Sequence, residues 1–142
     1  MKESNINIRR IQKTDMCHVI DLLQSISNFK PSKSGYGVIW DEFENQSNVH
    51  SIVAIINGVL VGYGSVVMET NIRGGKTGHI EDIVSHIDYR KKGIGKAIVD
   101  ELFKVTMSTG CYKVVLQCKE DNIDFYRKCG YEISGPALER FI

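Results

Sequence analysis

Apolar positions along this chain change period several times, and each change marks an element. Ile6, Ile8 and Ile11 bound a short alternating run that predicts a strand. Met16, Val19, Ile20, Leu23 and Ile26 then recur at helical spacing behind Thr14-Asp15, which offers an N-cap, so a helix with one buried face follows. Polar residues with Pro31 and two glycines break the pattern over 27–37, and 38–43 predicts a second short helix. The runs 49–56 and 59–68 are strand-like and flank Asn57-Gly58, a dipeptide that tolerates positive φ at both centres of a type I′ turn; together they predict a hairpin.

After a flexible loop over 71–78, the run 79–84 predicts another strand, and Ile94, Ala97, Ile98, Leu102 and Val105 form the apolar stripe of a long helix that Gly110 stops. The short run 112–116 is β-rich and apolar on successive residues, the pattern of a strand covered on both faces in mid-sheet. Asn122 is placed to cap a last short helix through Cys129, and Gly130 turns the chain into a closing strand at 131–133 and a terminal segment, 137–142. This order of elements predicts a mixed α/β layer fold, with all 142 residues in a single domain.

Charge narrows the choice of partners. Eighteen basic and 17 acidic residues leave a net charge of +1, so no global field draws the chain to nucleic acid or to a membrane, and any anion must be bound locally. The opening Met1-Lys2-Glu3-Ser4-Asn5 has no apolar signal segment, and no run approaches the roughly 20 apolar residues of a bilayer-spanning helix. A cytoplasmic protein is expected. The cysteines at 17, 111, 118 and 129 form no Cys-x-x-Cys pair and have no histidine at zinc spacing, so they read as buried thiols, and no metal is expected.

Local anion binding has one strong candidate, Arg90-Lys91-Lys92-Gly93-Ile94-Gly95-Lys96, between the strand and the long helix. Glycines at a helix start leave N–H groups unshielded, the helix dipole favours an anion there, and the basic residues add charge without a nucleophile. The loop fits neither the Walker pattern, since Ala97 follows Lys96, nor the dinucleotide fingerprint, since Ile98 replaces the third glycine. By itself it is equally well a glycine turn before a solvated basic helix end.

It is joined about 30 residues later by Asn122-Ile123-Asp124-Phe125-Tyr126-Arg127-Lys128-Cys129-Gly130-Tyr131. With Arg-x-x-Gly-x-Gly after a strand, this pairing resembles the GNAT acyltransferase superfamily, whose members bind acetyl-CoA. More narrowly, Gly78-His79-Ile80-Glu81-Asp82-Ile83, Gly110-Cys111-Tyr112-Lys113 and Phe125-Tyr126 resemble the glucosamine 6-phosphate N-acetyltransferases. The resemblance is close over 79–131 and looser towards the N-terminus.

The resemblance implies a mostly antiparallel, twisted sheet flanked by helices, with splayed central strands. It implies acetyl transfer from acetyl-CoA to the 2-amino group of glucosamine 6-phosphate by direct attack, in a homodimer serving UDP-N-acetylglucosamine biosynthesis. Ile83 N–H would polarise the thioester carbonyl, Val84 would line the pantetheine arm, and Arg90, Lys91, Lys92, Gly93, Ile94, Gly95 and Lys96 would hold the pyrophosphate. Asn122 would touch CoA and Tyr126 would donate to the departing sulfur. Glu81 and Asp82 would bind the amino sugar, with Ser27 and Arg73 beside it and Arg140 reaching the phosphate across the dimer.

Two further expectations concern the carboxylates. Glu81 and Asp82 are adjacent on a strand, so alternation puts their side chains on opposite faces. Family members carry an acidic residue where this chain has Gln117, which cannot act as a base; the proton then goes to water, to backbone groups, to Asp82 or to Glu81, or the amine arrives neutral. Histidine is by type a candidate base, but His79 and His86 are assigned no role, since a histidine at a strand edge more often makes an ordinary hydrogen bond. Two other functions stay open at this level: a GNAT enzyme for another amine (a polyamine, an antibiotic or a protein N-terminus), and an acetyl-CoA-binding module without catalysis.

Overall fold

A computed structural model of the chain describes residues 5–142, so the polar opening at 1–4 lies outside the described residues. Five strands, β1 (Ile6–Arg10), β2 (Val49–Ile56), β3 (Val59–Thr70), β4 (Lys76–Ser85) and β5 (Lys113–Leu116), pair in the order β1-β2-β3-β4-β5. The first three junctions are antiparallel and β4–β5 is parallel. Parallel neighbours need a crossover, which α3 (Ile94–Ser108) supplies. Helices α1 (Met16–Leu23) and α2 (Tyr36–Glu44) lie between β1 and β2, and α4 (Ile123–Lys128) follows β5. The expected α/β sheet flanked by helices is what forms.

The sheet buries a different set of side chains on each face. On one, Ile52, Ala54, Val66 and Ile80 meet Ile94, Ile98 and Leu102 of α3. Gly62 and Gly64 permit that approach, because a Cβ at either would come within 2.8 Å of an α3 isoleucine. On the other face a smaller cluster, Val53, Tyr63 and Val84, meets Val19 of α1. The β2–β3 hairpin closes as expected, with Asn57 at φ 49° and Gly58 at φ 80°.

Several expectations are corrected. The loop at 71–78 is shorter, because β4 begins at Lys76 and the turn closes through Asn71 N–H to the Gly75 carbonyl, 2.7 Å. Strand β5 is an edge strand and not a central one, since among the described residues no strand lies beyond it and its apolar residues are only partly buried. Residues 131–142 contain no strand; Leu138, Phe141 and Ile142 are exposed. Asp15 does not cap α1 with its side chain. Its carboxylate accepts from the Arg9 guanidinium at 2.7 and 2.9 Å and from Gln12 N–H at 2.7 Å, and Arg9 above all holds it below the usual carboxylate range. None of the four cysteines is fully buried, and Cys118 is exposed.

Candidate active site

The site begins where β4 loses its regularity. Ser65 pairs with Glu81 and Tyr63 with Val84, so Gly64 alone stands opposite Asp82 and Ile83. That is a β-bulge, and Asp82 takes φ 56° to make it. One extra residue reverses the alternation: Ile80 and Ile83 both join the α3-side cluster, while Val84 joins the α1-side cluster. Glu81, paired with Ser65, faces the α1 side, and Asp82 lines a cavity on that same side. The expected separation of the two carboxylates onto opposite faces therefore fails, because strict alternation does not survive a bulge.

Burial raises the Asp82 carboxyl above its ordinary value; burial and then the Asp82 charge do the same to Glu81, with His79 opposing. Both are poised to hold or take a proton at a higher pH than surface carboxylates.

The bulge coincides with an opening in the sheet. Pairing between β4 and β5 runs from Thr77–Lys113 to Ile80–Leu116 and stops, while β4 continues to Ser85. The β5-facing edge of 81–85 is thus unpaired by any strand of the described residues. This is the splay expected of the central strands, and it leaves main-chain groups beside Ile83 and Val84 for a ligand to use.

The chain next reaches the basic loop. Lys91 has φ 66° and Gly93 has φ 80°; Gly93 is the N-cap of α3, and no side chain caps that helix start. The first-turn amides of Ile94, Gly95 and Lys96 therefore lack a side-chain acceptor, and the first turn contains no acidic residue. Arg90, Lys91 and Lys92 form no side-chain hydrogen bond or ion pair among the described residues, whereas Lys96 is engaged by Asp100 at 2.6 Å. Lys96 thus offers its amide before its ammonium. Gly95 serves packing as well, since a Cβ there would lie 3.2 Å from the Phe125 ring. A helix start with free amides and three unpaired cations fits a pyrophosphate.

Phe125 connects this loop to α4. Its ring meets Tyr126 edge-on at 5.0 Å, and Tyr126 meets Tyr131 edge-on at 6.1 Å. Burial, with smaller contributions from Cys118 and Cys129, pushes the Tyr126 phenol up to about 12. It therefore stays protonated at neutral pH, and its hydroxyl has no hydrogen-bond partner among the described residues. Asn122 occupies the N-cap position of α4 but makes no side-chain cap, so the expected capping role fails.

Two hollows lie on the α1 side of β4. The first is an apolar cavity of about 310 Å³ under α1 and α2, lined by Val19, Ile20, Trp40 and Tyr63, with Ser27 and Asp82 among its polar groups. Ser27 Oγ accepts from Phe29 N–H at 3.2 Å. The second, nearer the start of β4, gathers Arg73, His79, Lys113, Tyr112, Asn71 and Glu69. His79 Nε2 lies 2.6 Å from Glu69 Oε1, and Lys113 stands over the Tyr112 ring. Sequence reasoning found Arg73 but missed Lys113 and the cavity, which are assembled by parallel pairing and by the packing of two helices that have no shared motif. Arg140 is exposed on the terminal segment.

A bulged strand splayed from a parallel neighbour, followed by a basic turn into a helix, defines a class of protein. The model of the acetyltransferase (GNAT) family matches residues 17–131, and the chain belongs to that family. Among its relatives, glucosamine 6-phosphate N-acetyltransferase 1 of Dictyostelium discoideum is 32% identical over 127 residues, covering 86% of this chain and 81% of that protein. The Arabidopsis thaliana glucosamine 6-phosphate N-acetyltransferase is 38% identical over 72% of each chain. A crystal structure of the enzyme of that name from Arabidopsis thaliana superposes with a TM-score of 0.89 at 29% identity, covering 96% of this chain and 97% of that one.

Proposed function

We propose that this chain transfers the acetyl group of acetyl-CoA to the 2-amino group of glucosamine 6-phosphate, giving N-acetylglucosamine 6-phosphate and CoA. The observation that carries this reading is the charge layout along the α1 side of β4. Carboxylates stand at Glu81 and Asp82, and Arg73, His79 and Lys113 surround the other end. Asp82 lies three positions after His79, at most about 10 Å along a strand that bulges at Asp82, which is the scale of a hexosamine phosphate from its amino to its phosphate end. The relatives' activity agrees with that polarity.

Acetyl-CoA supplies an activated acetyl thioester. Arg90, Lys91, Lys92 and the first-turn amides of Gly93, Ile94, Gly95 and Lys96 hold its pyrophosphate, with Asn122 nearby, and main-chain groups of Ile83 and Val84 hold its arm. Asp82 and Glu81 attract the substrate ammonium. Asp82 accepts the amine proton, a role that its raised pKa assists and that Gln117 cannot fill. Ile83 N–H donates to the carbonyl oxygen as it becomes an oxyanion, a contribution of about 3 kcal/mol. Tyr126 donates its phenolic proton to the departing sulfur. Arg73, Lys113 and Arg140 of the partner subunit hold the phosphate, with Ser27 beside the sugar, in a cytoplasmic homodimer of single-domain chains that supplies UDP-N-acetylglucosamine biosynthesis.

Release of CoA thiol with glucosamine 6-phosphate, glucosamine and glucose 6-phosphate as acceptors tests this. Turnover with the first, weak turnover with the second and none with the third is expected. Equal turnover with glucosamine would remove the phosphate site, and no turnover with glucosamine 6-phosphate would refute the function.

A further inference from the structure

The apolar cavity is poorly explained by a sugar phosphate. Its walls are Met16, Val19, Ile20, Leu23, Trp40 and Phe43, while the cations gather in the other hollow. Phe29, also lining it, is 81% exposed, so the cavity is open at that edge. A volume of about 310 Å³ lies at the lower end of the range of small-molecule pockets, room for one compact apolar body. Asp82 is the only ionisable carboxylate in its lining. One carboxylate bordering an apolar, aromatic-walled hollow is the complement of a primary ammonium attached to an apolar body.

The geometry points to a second acceptor class: primary amines with an aromatic or branched aliphatic body, acetylated at the same centre. The body fills the cavity beneath Trp40 and the ammonium pairs with Asp82. Asp82 takes one proton, the neutral nitrogen attacks the thioester carbon, the new N–C bond forms as the C–S bond breaks, Tyr126 protonates the departing sulfur to give CoA thiol, and the second proton shed by the nitrogen restores the phenol. The products are the N-acetyl amine and CoA, and no other reactant is required. This reading uses the acetyl-transfer centre proposed above but does not depend on glucosamine 6-phosphate being an acceptor.

Two measurements test it on the full chain. Trp40 is the only tryptophan, so its fluorescence reports cavity filling without catalysis. Titration with 2-phenylethylamine should change its emission saturably, and ethanolamine should not. In the CoA-release assay, with the N-acetyl product confirmed by mass spectrometry, kcat/KM for 2-phenylethylamine should exceed that for ethanolamine by about tenfold or more, the discrimination an apolar pocket commonly gives. Ile20→Trp, which fills the cavity from α1, should lower 2-phenylethylamine turnover about tenfold more than it lowers glucosamine 6-phosphate turnover. No emission change and no acetylated phenylethylamine, from enzyme that turns over glucosamine 6-phosphate, would overturn the inference. Acetylation of phenylethylamine without turnover of glucosamine 6-phosphate would support it while refuting the function proposed above.

Discussion

The two faces of this sheet are built for opposite purposes. On the α3 face, glycines at 62 and 64 draw the helix onto the strands, and Ile98 and Leu102 are fully buried. On the α1 face only a small cluster forms, and a cavity remains between two short helices and the strands. The bulge at Asp82 and Ile83 links them, since it sends Ile83 to the filled face and leaves Asp82 bordering the open one. The contrast teaches that one face supplies rigidity and the other supplies room, with the bulged main chain anchored by the Ile83 side chain on the packed side. Local stability and ligand access are separated across a sheet one strand thick.

Mutations should divide along the same line. Ile98→Ala removes a fully buried side chain from the packed face and should cost about 3 kcal/mol in urea unfolding. Ile20→Ala, at the wall of an existing cavity, should cost less than about half of that. Equal losses would mean that the α1 face is as tightly packed in solution as its opposite. Tyr126→Phe comes next: it should lower kcat about a hundredfold, with little change in KM for acetyl-CoA or in stability, because the hydroxyl has no hydrogen-bond partner among the described residues to lose. A parallel loss of stability would assign the phenol to packing.

The pH dependence probes the open side. Asp82 is raised by burial, so its active, ionised form is lost as pH falls through a value above the ordinary carboxylate range of about 4. The acid limb of kcat/KM should therefore lie above pH 4, and Asp82→Asn should abolish most activity; an unmoved limb in that variant would shift the role to Glu81 or to water. Gly93→Ala has the smallest expected effect. With φ at 80° it should destabilise by about 1 kcal/mol and weaken acetyl-CoA binding while leaving the acceptor KM alone.

Much of this arrangement was legible in the chain. Asn57-Gly58 fixed the hairpin, helical periodicity located α3, and Arg90 to Lys96 marked a basic turn into a helix start that no side chain caps. What escaped was set by tertiary context. Nothing local announces a bulge at Asp82, whose only signal is a register mismatch with β3. The apolar run at 112–116 resembles a buried strand, yet β5 is at the edge among the described residues: Val114 and Leu116 pack on the α3-side cluster while Val115 lines the second hollow. Asn122 and Asp15 were placed for capping but have other geometry, Asp15 because Arg9 and Gln12 offer its carboxylate better donors. Lys113 closes the motif Gly110-Cys111-Tyr112-Lys113 but carries no sign of a site role there, and it is parallel pairing with Thr77 that brings it beside Arg73.

The division of labour between faces is tested most directly by amide chemical-shift mapping of the labelled protein, first with CoA and then with glucosamine 6-phosphate. CoA should move the amides of Ile83, Val84 and Gly93 through Lys96, leaving those around Arg73 and Lys113 in place, and the sugar phosphate should then move His79, Asp82 and Lys113. If CoA leaves the start of α3 undisturbed, or if both ligands move one and the same set, the account is wrong.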